Sequence, residues 1–455
     1  MSPTALDVMF FPKTIAVIGA SNKPSRIGFQ VIQNLIVGGF PGEVFPVNPR
    51  FQSVLNRRVF PSIEVVPKSV DLAIIVLRKD RVLDTVDACG RCGVKTIIVM
   101  SSGFSELGDE ALEEKLTNRV KQYGMRMLGP NCAGFAATHE RIYASFENRV
   151  YPGDLAFISQ SGAMCAVVLA LARAAGLGLS MFVSYGNAAD VGPEEILQFF
   201  QTHKPSHIIG GYLEGIAHAR AFLDVARQIT PTKPVVVLKP GETLAASQAI
   251  KSHTGALAGS HAVYAGAFRQ AGITQTKTLE EFIDVCAIFA SQPPPKGNHV
   301  GIVTNSGGPG VLAVDACARA GLSTPQFPAS LVHDFQAILP PVCPTSNPVD
   351  LGPEGSPDVY HQVTELLLTE PSIDMGLILC VPTMFSSIQA ISQSVAKAKQ
   401  NHPEKPLVTC WLAEDIVADG LPVLRQANIT NFSTPQRAAT ALAALFQRAQ
   451  WLRSQ

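Results

Sequence analysis

His253 stands in a run of small residues that suits a histidine carrying a phosphoryl group. The stretch 252–259 reads Ser-His-Thr-Gly-Ala-Leu-Ala-Gly, which leaves room for a bulky group on the imidazole ring. Phosphorylating a histidine requires a neutral imidazole, an in-line donor and groups that bind three charged oxygens. Any one of the ten histidines is by default an ordinary surface or core residue, so the interpretation of His253 depends on its surroundings.

Two turns of small residues offer anion-binding groups. Residues 159–163 read Ser-Gln-Ser-Gly-Ala and residues 305–310 read Asn-Ser-Gly-Gly-Pro-Gly, each between a predicted strand and a predicted helix. A helix N-terminus carries about half a positive charge, which favours phosphate and disfavours an imidazolium nearby. The predicted phosphate-binding residues are Ser159, Ser161, Gly162, Ala163, Ser306, Gly307 and Gly308.

Glu214 is the candidate partner of the imidazole. It closes the predicted strand 208–213 and precedes Gly215, so its carboxylate should lie at the edge of the sheet where ligands bind. There it would accept a hydrogen bond from the imidazole and fix the tautomer of His253. The alternative is a solvated loop glutamate.

The first strand-to-helix turn, residues 19–28, is a candidate site for a phosphorylated ligand. Its small residues let backbone N–H groups approach an anion at a helix N-terminus, and Lys23 and Arg26 add positive charge. The alternative is an ordinary tight turn.

The same turn departs from the dinucleotide pattern. That pattern requires glycine at its first, third and sixth positions, which here hold Gly19, Ser21 and Pro24. NAD sites also favour a carboxylate after the second strand, whereas residues 48–50 are Asn-Pro-Arg. A cation suits a phosphorylated ribose, which leaves NADP or CoA.

Other chemistries have weaker support. Cys89 and Cys92 lack a second cysteine pair or nearby histidines, which favours helix packing over a metal site, and no metal site is predicted. Ser161 lies in a strand-turn-helix context like a hydrolase nucleophile, but that motif requires glycine where Ser159 stands.

The elements that position these residues are typical of an α/β fold. Short β-branched runs alternate with amphipathic stretches along the whole chain, which indicates parallel sheets wound with helices. The pattern predicts a Rossmann-like domain over 1–145, a second domain over 146–291, a proline-rich linker over 292–298 and a third domain over 299–455. Strands are predicted at 14–18, 43–47, 71–77, 96–100, 126–128, 155–158, 179–183, 208–213, 235–238, 299–304, 376–381 and 407–411.

Composition excludes several classes of partner. Lys plus Arg equals Asp plus Glu at 36 each, so no long-range field favours nucleic acid or an anionic membrane. No apolar run approaches the roughly 20 residues that span a bilayer, and no signal peptide is visible. We expect a cytoplasmic protein without nucleic-acid or membrane partners.

Together these motifs resemble the α subunit of the nucleoside-diphosphate-forming acyl-CoA synthetases, the family of ADP-forming acetyl-CoA synthetase and, more distantly, succinyl-CoA synthetase. The stretch 252–259 resembles the family's phosphohistidine loop, and Gly-Pro-Asn-Cys-Ala-Gly at 129–134 resembles its active-site turn. The resemblance implies a CoA-binding first domain and two flavodoxin-like ligase domains, with His253 and Glu214 as catalytic residues. It also implies a CoA site formed by Gly19, Ala20, Ser21, Lys23, Asn48, Pro49, Arg50, Ser101, Ser102, Gly103, Asn131 and Cys132.

The implied reaction interconverts acyl-CoA, ADP and phosphate with acid, CoA and ATP through an acyl phosphate and a phosphohistidine. Nothing after the third domain has the pattern of an ATP-grasp module, so the resemblance implies a separate β subunit that binds ATP or ADP with Mg²⁺, in an α2β2 assembly. Two alternatives remain: a CoA-binding regulatory protein without turnover, and an NADP-dependent oxidoreductase.

Overall fold

The computed structural model describes residues 4–243, 245, 246, 248, 261–384, 386–413 and 415–455. His253 and the stretch 252–259 lie outside the described residues. The chain divides into two compact units, Met1–Lys277 and Thr278–Gln455. Within the described ranges, no helix is both long and apolar enough to cross a membrane.

The first five predicted strands form one parallel sheet, of order β2-β1-β5-β6-β7. β5 and β6 are buried at every position, as expected of parallel strands between two helical layers. The strands are β1 (Thr14–Ile18), β2 (Glu43–Val47), β5 (Leu72–Ile75), β6 (Thr96–Val99) and β7 (Arg126–Leu128), with a small hairpin of β3 (Ser53–Val54) and β4 (Arg57–Arg58) between the second and third. The helices are α1 (Ala5–Phe10), α2 (Ile27–Val37), α3 (Val82–Arg91) and α4 (Glu110–Gln122).

A second sheet follows in the same unit, of order β14-β13-β12-β10-β11-β8-β9. Its parallel part is β10 (Pro152–Ser159), β11 (Leu179–Ser184), β12 (Ile208–Tyr212), β13 (Val235–Leu238) and β14 (Ile273–Thr276). The helices are α5 (Gly162–Ala174), α6 (Pro193–Thr202), α7 (Ala219–Ile229) and α8 (His261–Gln270). A hairpin that the sequence did not predict, β8 (Gly134–Ala137) and β9 (Ile142–Ser145), pairs antiparallel with β11.

The unit Thr278–Gln455 contains a third parallel sheet, of order β16-β15-β17-β18. Its strands are β15 (Val300–Thr304), β16 (Val349–Asp350), β17 (Met375–Cys380) and β18 (Leu407–Trp411). The helices are α9 (Leu279–Ser291), α10 (Gly307–Arg319), α11 (Ala329–Ile338), α12 (Pro357–Thr369), α13 (Ile388–Asn401), α14 (Leu421–Gln426) and α15 (Pro435–Arg453).

All three sheets share one winding pattern. The chain runs from the first parallel strand to one side, then crosses back and continues on the other side, so each sheet has one switch point. The switch points lie between β1 and β5, between β10 and β12, and between β15 and β17. Ligands of open α/β sheets bind at the carboxyl ends of the strands beside such points. The predicted α/β class with mostly parallel sheets is confirmed.

Contacts within each compact unit cross the predicted domain boundaries. One hydrophobic cluster runs through both sheets of the first unit, where Phe10 of α1 packs edge-on against Phe135 of β8 at 5.1 Å between ring centroids. In the second unit, Asp284 of α9 accepts two hydrogen bonds from the Arg437 guanidinium of α15, at 2.7 and 2.8 Å. The boundaries at 145, 291 and 298 stay predictions.

Candidate active site

A cleft of about 1470 Å³ lies at the switch point between β1 and β5. It exceeds the roughly 300–1,000 Å³ typical of sites for drug-sized ligands, so it has room for a ligand of dinucleotide size. Nine of the predicted CoA-site residues line it: Gly19, Ala20, Ser21, Lys23, Asn48, Pro49, Arg50, Ser101 and Ser102.

Two glycines allow the first turn to pack tightly at this point. Gly19 has φ +101°, and a Cβ there would lie 2.1 Å from the carbonyl oxygen of Val76, beside the end of β5. Gly28, in the first turn of α2, would place a Cβ 2.2 Å from the carbonyl oxygen of Gly19. A Cβ atom essentially never lies so close to a backbone oxygen, so both positions require glycine for the helix to start against the strand.

Gly28→Ala is therefore expected to destabilise the protein by about 1–3 kcal/mol, because the methyl group overlaps backbone that cannot rotate away. Urea unfolding followed by circular dichroism measures this change. Gly266→Ala in α8 is the matched control: nothing lies within 4 Å of the added Cβ, so helix propensity alone should leave stability equal or higher. A Gly28→Ala unfolding midpoint at or above that of the wild type would contradict this account of the turn.

Asn48 holds the first turn against the second strand. Its Nδ2 donates to the carbonyl oxygen of Ala20 at 2.7 Å, and its Oδ1 accepts from the backbone N–H of Arg50 at 2.9 Å. The N–H groups of Gly19 and Ala20 both donate to the carbonyl oxygen of Val47, so these two residues shape the turn through their backbone. The exposed cations at the cleft, Lys23 and Arg50 among them, are the groups available to an anion.

The predicted pantetheine segment, Ser101 to Gly103, follows β6. The Ser101 hydroxyl donates to the carbonyl oxygen of Leu77 at 2.6 Å, which ties the ends of β5 and β6 together. Ser102 is exposed in the cleft. Gly103 lies outside the cleft lining, and its N–H donates to the carboxylate of Glu106.

Asn131 and Cys132 lie in the turn after β7. Asn131 has φ +58° and donates its backbone N–H to the carbonyl oxygen of Ser101 at 3.0 Å, so this turn adjoins the pantetheine segment. The Cys132 side chain is buried, and burial raises the pKa of its thiol to about 12. A neutral, buried thiol is a weak nucleophile.

The second switch point brings Glu214 and the turn 159–163 together. Gln160 spans the gap between β10 and β12, since its Oε1 accepts from the backbone N–H groups of Glu214 and Gly215 at 3.0 and 3.1 Å. The Ser159 hydroxyl donates to the carbonyl oxygen of Ser161 at 2.6 Å, which closes the turn. The Ser161 hydroxyl caps α5 by accepting from the N–H of Met164, so Gly162 and Ala163 begin the helix.

Glu214 is buried among polar groups from neighbouring strands. Lys239, directly after β13, donates through Nζ to the carbonyl oxygen of Glu214 at 2.8 Å and lies 4.5 Å above the ring of Tyr264. Burial lowers the pKa of Lys239. Burial and the Glu214 carboxylate raise the pKa of Tyr212, so this phenol stays protonated beside the carboxylate.

Tyr185, directly after β11, is a further polar group at this sheet edge. Its side chain is buried, and its hydroxyl has no hydrogen-bond partner among the described residues. Its pKa is raised well above the ordinary value by burial and then by the carboxylates of Glu214 and Glu194.

The third switch point repeats the geometry of the second. Thr304, the last residue of β15, donates its hydroxyl to the carbonyl oxygen of Ser306 at 2.8 Å, as Ser159 does to Ser161. Asn305 spans the strands, since its side chain exchanges hydrogen bonds with the backbone of Val381 at 2.8 and 2.9 Å. Gly307 and Gly308 begin α10 and are exposed, so this helix N-terminus is accessible.

Three protein families match the chain in succession. A CoA binding domain matches residues 13–138, a succinyl-CoA ligase like flavodoxin domain matches 152–289, and a ligase-CoA domain matches 300–455.

Some relatives match over nearly the whole chain. The chain is 36% identical over 451 residues to the α subunit of acetate–CoA ligase (ADP-forming) II of Pyrococcus furiosus, covering 98% of both chains. This chain belongs to the family of ADP-forming acetate–CoA ligase α subunits. The predicted resemblance and the ligase class are thereby confirmed.

Other members of the family vary in length and substrate name. The chain is 32% identical to 4-hydroxybutyrate–CoA ligase (ADP-forming) of Nitrosopumilus maritimus and covers 64% of that protein. Among solved structures, the dinucleotide-forming acetyl-coenzyme A synthetase 1 of Candidatus Korarchaeum cryptofilum, in complex with phosphate and ADP, superposes with a TM-score of 0.93. That chain is 36% identical, with 98% of this chain and 97% of that chain covered.

The roles of the individual site residues stay predictions. Sequence reasoning singled out Glu214 at a strand end but missed the equivalent residues of the neighbouring strands, Gln160, Tyr185 and Lys239. One sequence signal could have found them, because each is the first residue beyond a buried parallel strand. Polar side chains at all such positions of one sheet would have indicated a common site.

Proposed function

We propose that this chain is the CoA-binding, histidine-phosphorylated subunit of an ADP-forming acyl-CoA synthetase. The enzyme interconverts acyl-CoA, ADP and phosphate with a small carboxylic acid, CoA and ATP. The observation that carries the proposal is the second switch point, where Gln160 joins the carboxylate-bearing residue Glu214 to the helix-capping turn 159–163. Both groups would suit a phosphorylated histidine, because the carboxylate can accept from the imidazole and the helix N-terminus can donate to the phosphoryl oxygens.

CoA would bind in the cleft between β1 and β5. The residues there fit the ligand, because the exposed cations Lys23 and Arg50 can neutralise phosphates. The arm of CoA would pass Ser101, Ser102 and Gly103 and bring its sulfur to the Asn131 turn.

In the direction of ATP formation, phosphate attacks the thioester carbonyl, and the carbon–sulfur bond breaks to give an acyl phosphate and CoA. The free imidazole nitrogen of His253 then attacks phosphorus, and the carboxylic acid leaves as its carboxylate. ADP finally takes the phosphoryl group from the histidine, which restores the imidazole. Each step transfers one group and leaves no change in oxidation state.

Glu214 would accept a hydrogen bond from the other ring nitrogen of His253. This bond fixes the tautomer and stabilises the positive charge that develops on the ring as phosphorus is attacked. Lys239 and Gln160 act on the Glu214 backbone and hold its position. The N-terminus of α5, with Ser159, Ser161, Gly162 and Ala163, would supply N–H groups for the phosphoryl oxygens. Ser306, Gly307 and Gly308, at the exposed N-terminus of α10, are a second candidate phosphate-binding group.

The nucleotide would bind to a partner. The names of the whole-chain relatives, as α subunits, support a separate β subunit for this chain as well. We propose that this subunit is an ATP-grasp protein that holds ATP or ADP with Mg²⁺ in a cytoplasmic α2β2 assembly. His253 would then pass between the two subunits' sites during turnover.

Calorimetric titration of the purified chain with CoA and, separately, with NADP tests the ligand of the first cleft. We expect saturable binding of CoA and none of NADP. Saturation by NADP without binding of CoA would instead support an oxidoreductase and contradict the proposal.

Arg50→Met is expected to weaken CoA binding about fivefold, the effect of roughly 1 kcal/mol for an exposed charge pair. If Arg50 contacts the ribose phosphate, dephospho-CoA should bind the variant and the wild type equally, and the fivefold difference should shrink at high salt. Arg319→Met, which removes an exposed arginine of α10, is the control and should leave both affinities unchanged. An equal loss of affinity for CoA and for dephospho-CoA would show that Arg50 does not contact the ribose phosphate.

A further inference from the structure

The side-chain nitrogen of Asn187, in the loop after β11, lies within hydrogen-bonding distance of three acceptors. Its Nδ2 lies 2.7 Å from a carboxylate oxygen of Glu106, 2.7 Å from one of Glu113 and 3.1 Å from the hydroxyl of Ser105. Ionised carboxylates only accept hydrogen bonds, so the amide can have only its NH₂ group on this side. The chemistry of the neighbours thus fixes which way the Asn187 amide points.

The orientation of the Asn187 amide in turn determines the orientation of the Asn131 amide. The Oδ1 of Asn187 must face Asn131, whose Nδ2 lies 3.3 Å away and donates to it. Asn131 therefore has its acceptor oxygen on the side away from Asn187.

The backbone of Asn131 is held as firmly as its side chain. Its N–H donates to the carbonyl oxygen of Ser101 at 3.0 Å, and the N–H of Asn187 donates to the carbonyl oxygen of Pro130 at 3.0 Å. The two turns touch closely, because a Cβ on Gly186 would lie 2.3 Å from the carbonyl oxygen of Pro130.

Glu106 extends the same network to the pantetheine segment. Besides accepting from Asn187, its carboxylate accepts from the N–H of Gly103 and, at 3.2 Å, from the N–H of Phe104. One carboxylate thus positions both the segment from Ser101 to Gly103 and the Asn131 turn. These contacts connect the end of β6 in the first sheet with the loop after β11 in the second.

We propose that Asn187 and Glu106 are positioning residues that hold the Asn131 carboxamide oxygen towards the thiol end of the CoA arm. There the oxygen accepts a hydrogen bond from the terminal amide N–H of the arm or from the thiol. This inference rests on the proposed function, which places the arm of CoA along Ser101 to Gly103. The turn of Asn131 and the buried Cys132 would thus supply an acceptor that orients the substrate.

The test is calorimetry of the whole chain with CoA, desulfo-CoA and adenosine 3′,5′-bisphosphate, the nucleotide half of CoA. We expect Asn131→Ala and Asn187→Ala each to weaken CoA binding about tenfold, the effect of one buried hydrogen bond, while the bisphosphate binds all variants equally. Because Asn187 acts through Asn131, the double variant should lose no more than Asn131→Ala alone. Asn187→Asp, of the same size, adds a third carboxylate to Glu106 and Glu113 and should weaken CoA binding at least as much.

Asn401→Ala is the matched control, since this asparagine of α13 also donates to a glutamate, Glu365, at 3.2 Å. It should leave CoA binding unchanged. Equal losses for CoA and desulfo-CoA identify the amide N–H as the donor, and a loss confined to CoA identifies the thiol.

The binding results distinguish a failure of the inference about Asn187 from a failure of the proposed function. Wild-type affinity for CoA in the Asn187 variants, or additive losses in the double variant, would overturn the positioning by Asn187. Failure of the wild-type chain to bind CoA at all would overturn the proposed function itself.

Discussion

His253→Ala is expected to abolish phosphorylation of the chain and to lower ATP formation from acyl-CoA, ADP and phosphate by about 10⁴-fold or more. The loss should be that large because the substitution removes the proposed nucleophile, and deleting one of several catalytic groups that act as a unit has an effect of this size. Transfer of radiolabelled phosphate from ATP to the chain, in the presence of its partner subunit, measures the first effect. A coupled assay for ATP measures the second.

His333→Ala is the matched control, because this exposed histidine of α11 is not a predicted site residue. It should take up label at the wild-type rate. CoA binding should also survive in His253→Ala, since the proposed CoA site is the first cleft. Undiminished labelling of His253→Ala would show that another residue carries the phosphoryl group.

Glu214→Gln should slow phosphorylation of the chain by about 10²-fold or more with little change in the affinity for CoA. Glutamine keeps the shape, and the two hydrogen bonds to Gln160 involve backbone N–H groups that the substitution does not alter. What is lost is the negative charge that stabilises the developing imidazolium. Rapid-quench measurement of the labelling rate isolates this step from product release.

Glu365→Gln provides the comparison for this second variant. Glu365 accepts from His402 Nε2 at 2.9 Å, so it is a glutamate–histidine pair in the unit Thr278–Gln455 with no predicted part in the reaction. Its substitution should leave the labelling rate intact. If Glu214→Gln phosphorylated as fast as Glu365→Gln, the carboxylate would have no part in activating the histidine.

The parallel strands could be predicted because burial on both faces imposes a composition that the sequence displays. β5, with Leu-Ala-Ile-Ile, and β6, with Thr-Ile-Ile-Val, are continuous apolar runs between turn residues. The hairpin of β8 and β9 was missed because its small residues, such as Gly-Phe-Ala-Ala in β8, give no strand periodicity. Its pairing with β11 is decided by tertiary contacts instead.

The candidate site was only partly accessible to sequence reasoning. The position of Glu214 after a strand and the helix-starting turn 159–163 are local features, and both could be predicted. Gln160 and Asn187 were missed because their importance depends on strand order, which local periodicity does not encode. Only once β10 and β12 are neighbours does the Gln160 side chain reach the Glu214 backbone.

We propose an ATP synthesis driven by a CoA thioester, in which this chain is one half of the enzyme. Its most direct test is to combine the purified chain with its co-purified partner subunit, acetyl-CoA, ADP, Mg²⁺ and phosphate, and to measure ATP and free CoA together. We expect ATP and free CoA to form in equal amounts, each component to be required, and the His253→Ala assembly to form neither product. Release of CoA without ATP, or ATP formation by the His253→Ala assembly at the wild-type rate, would contradict this proposal.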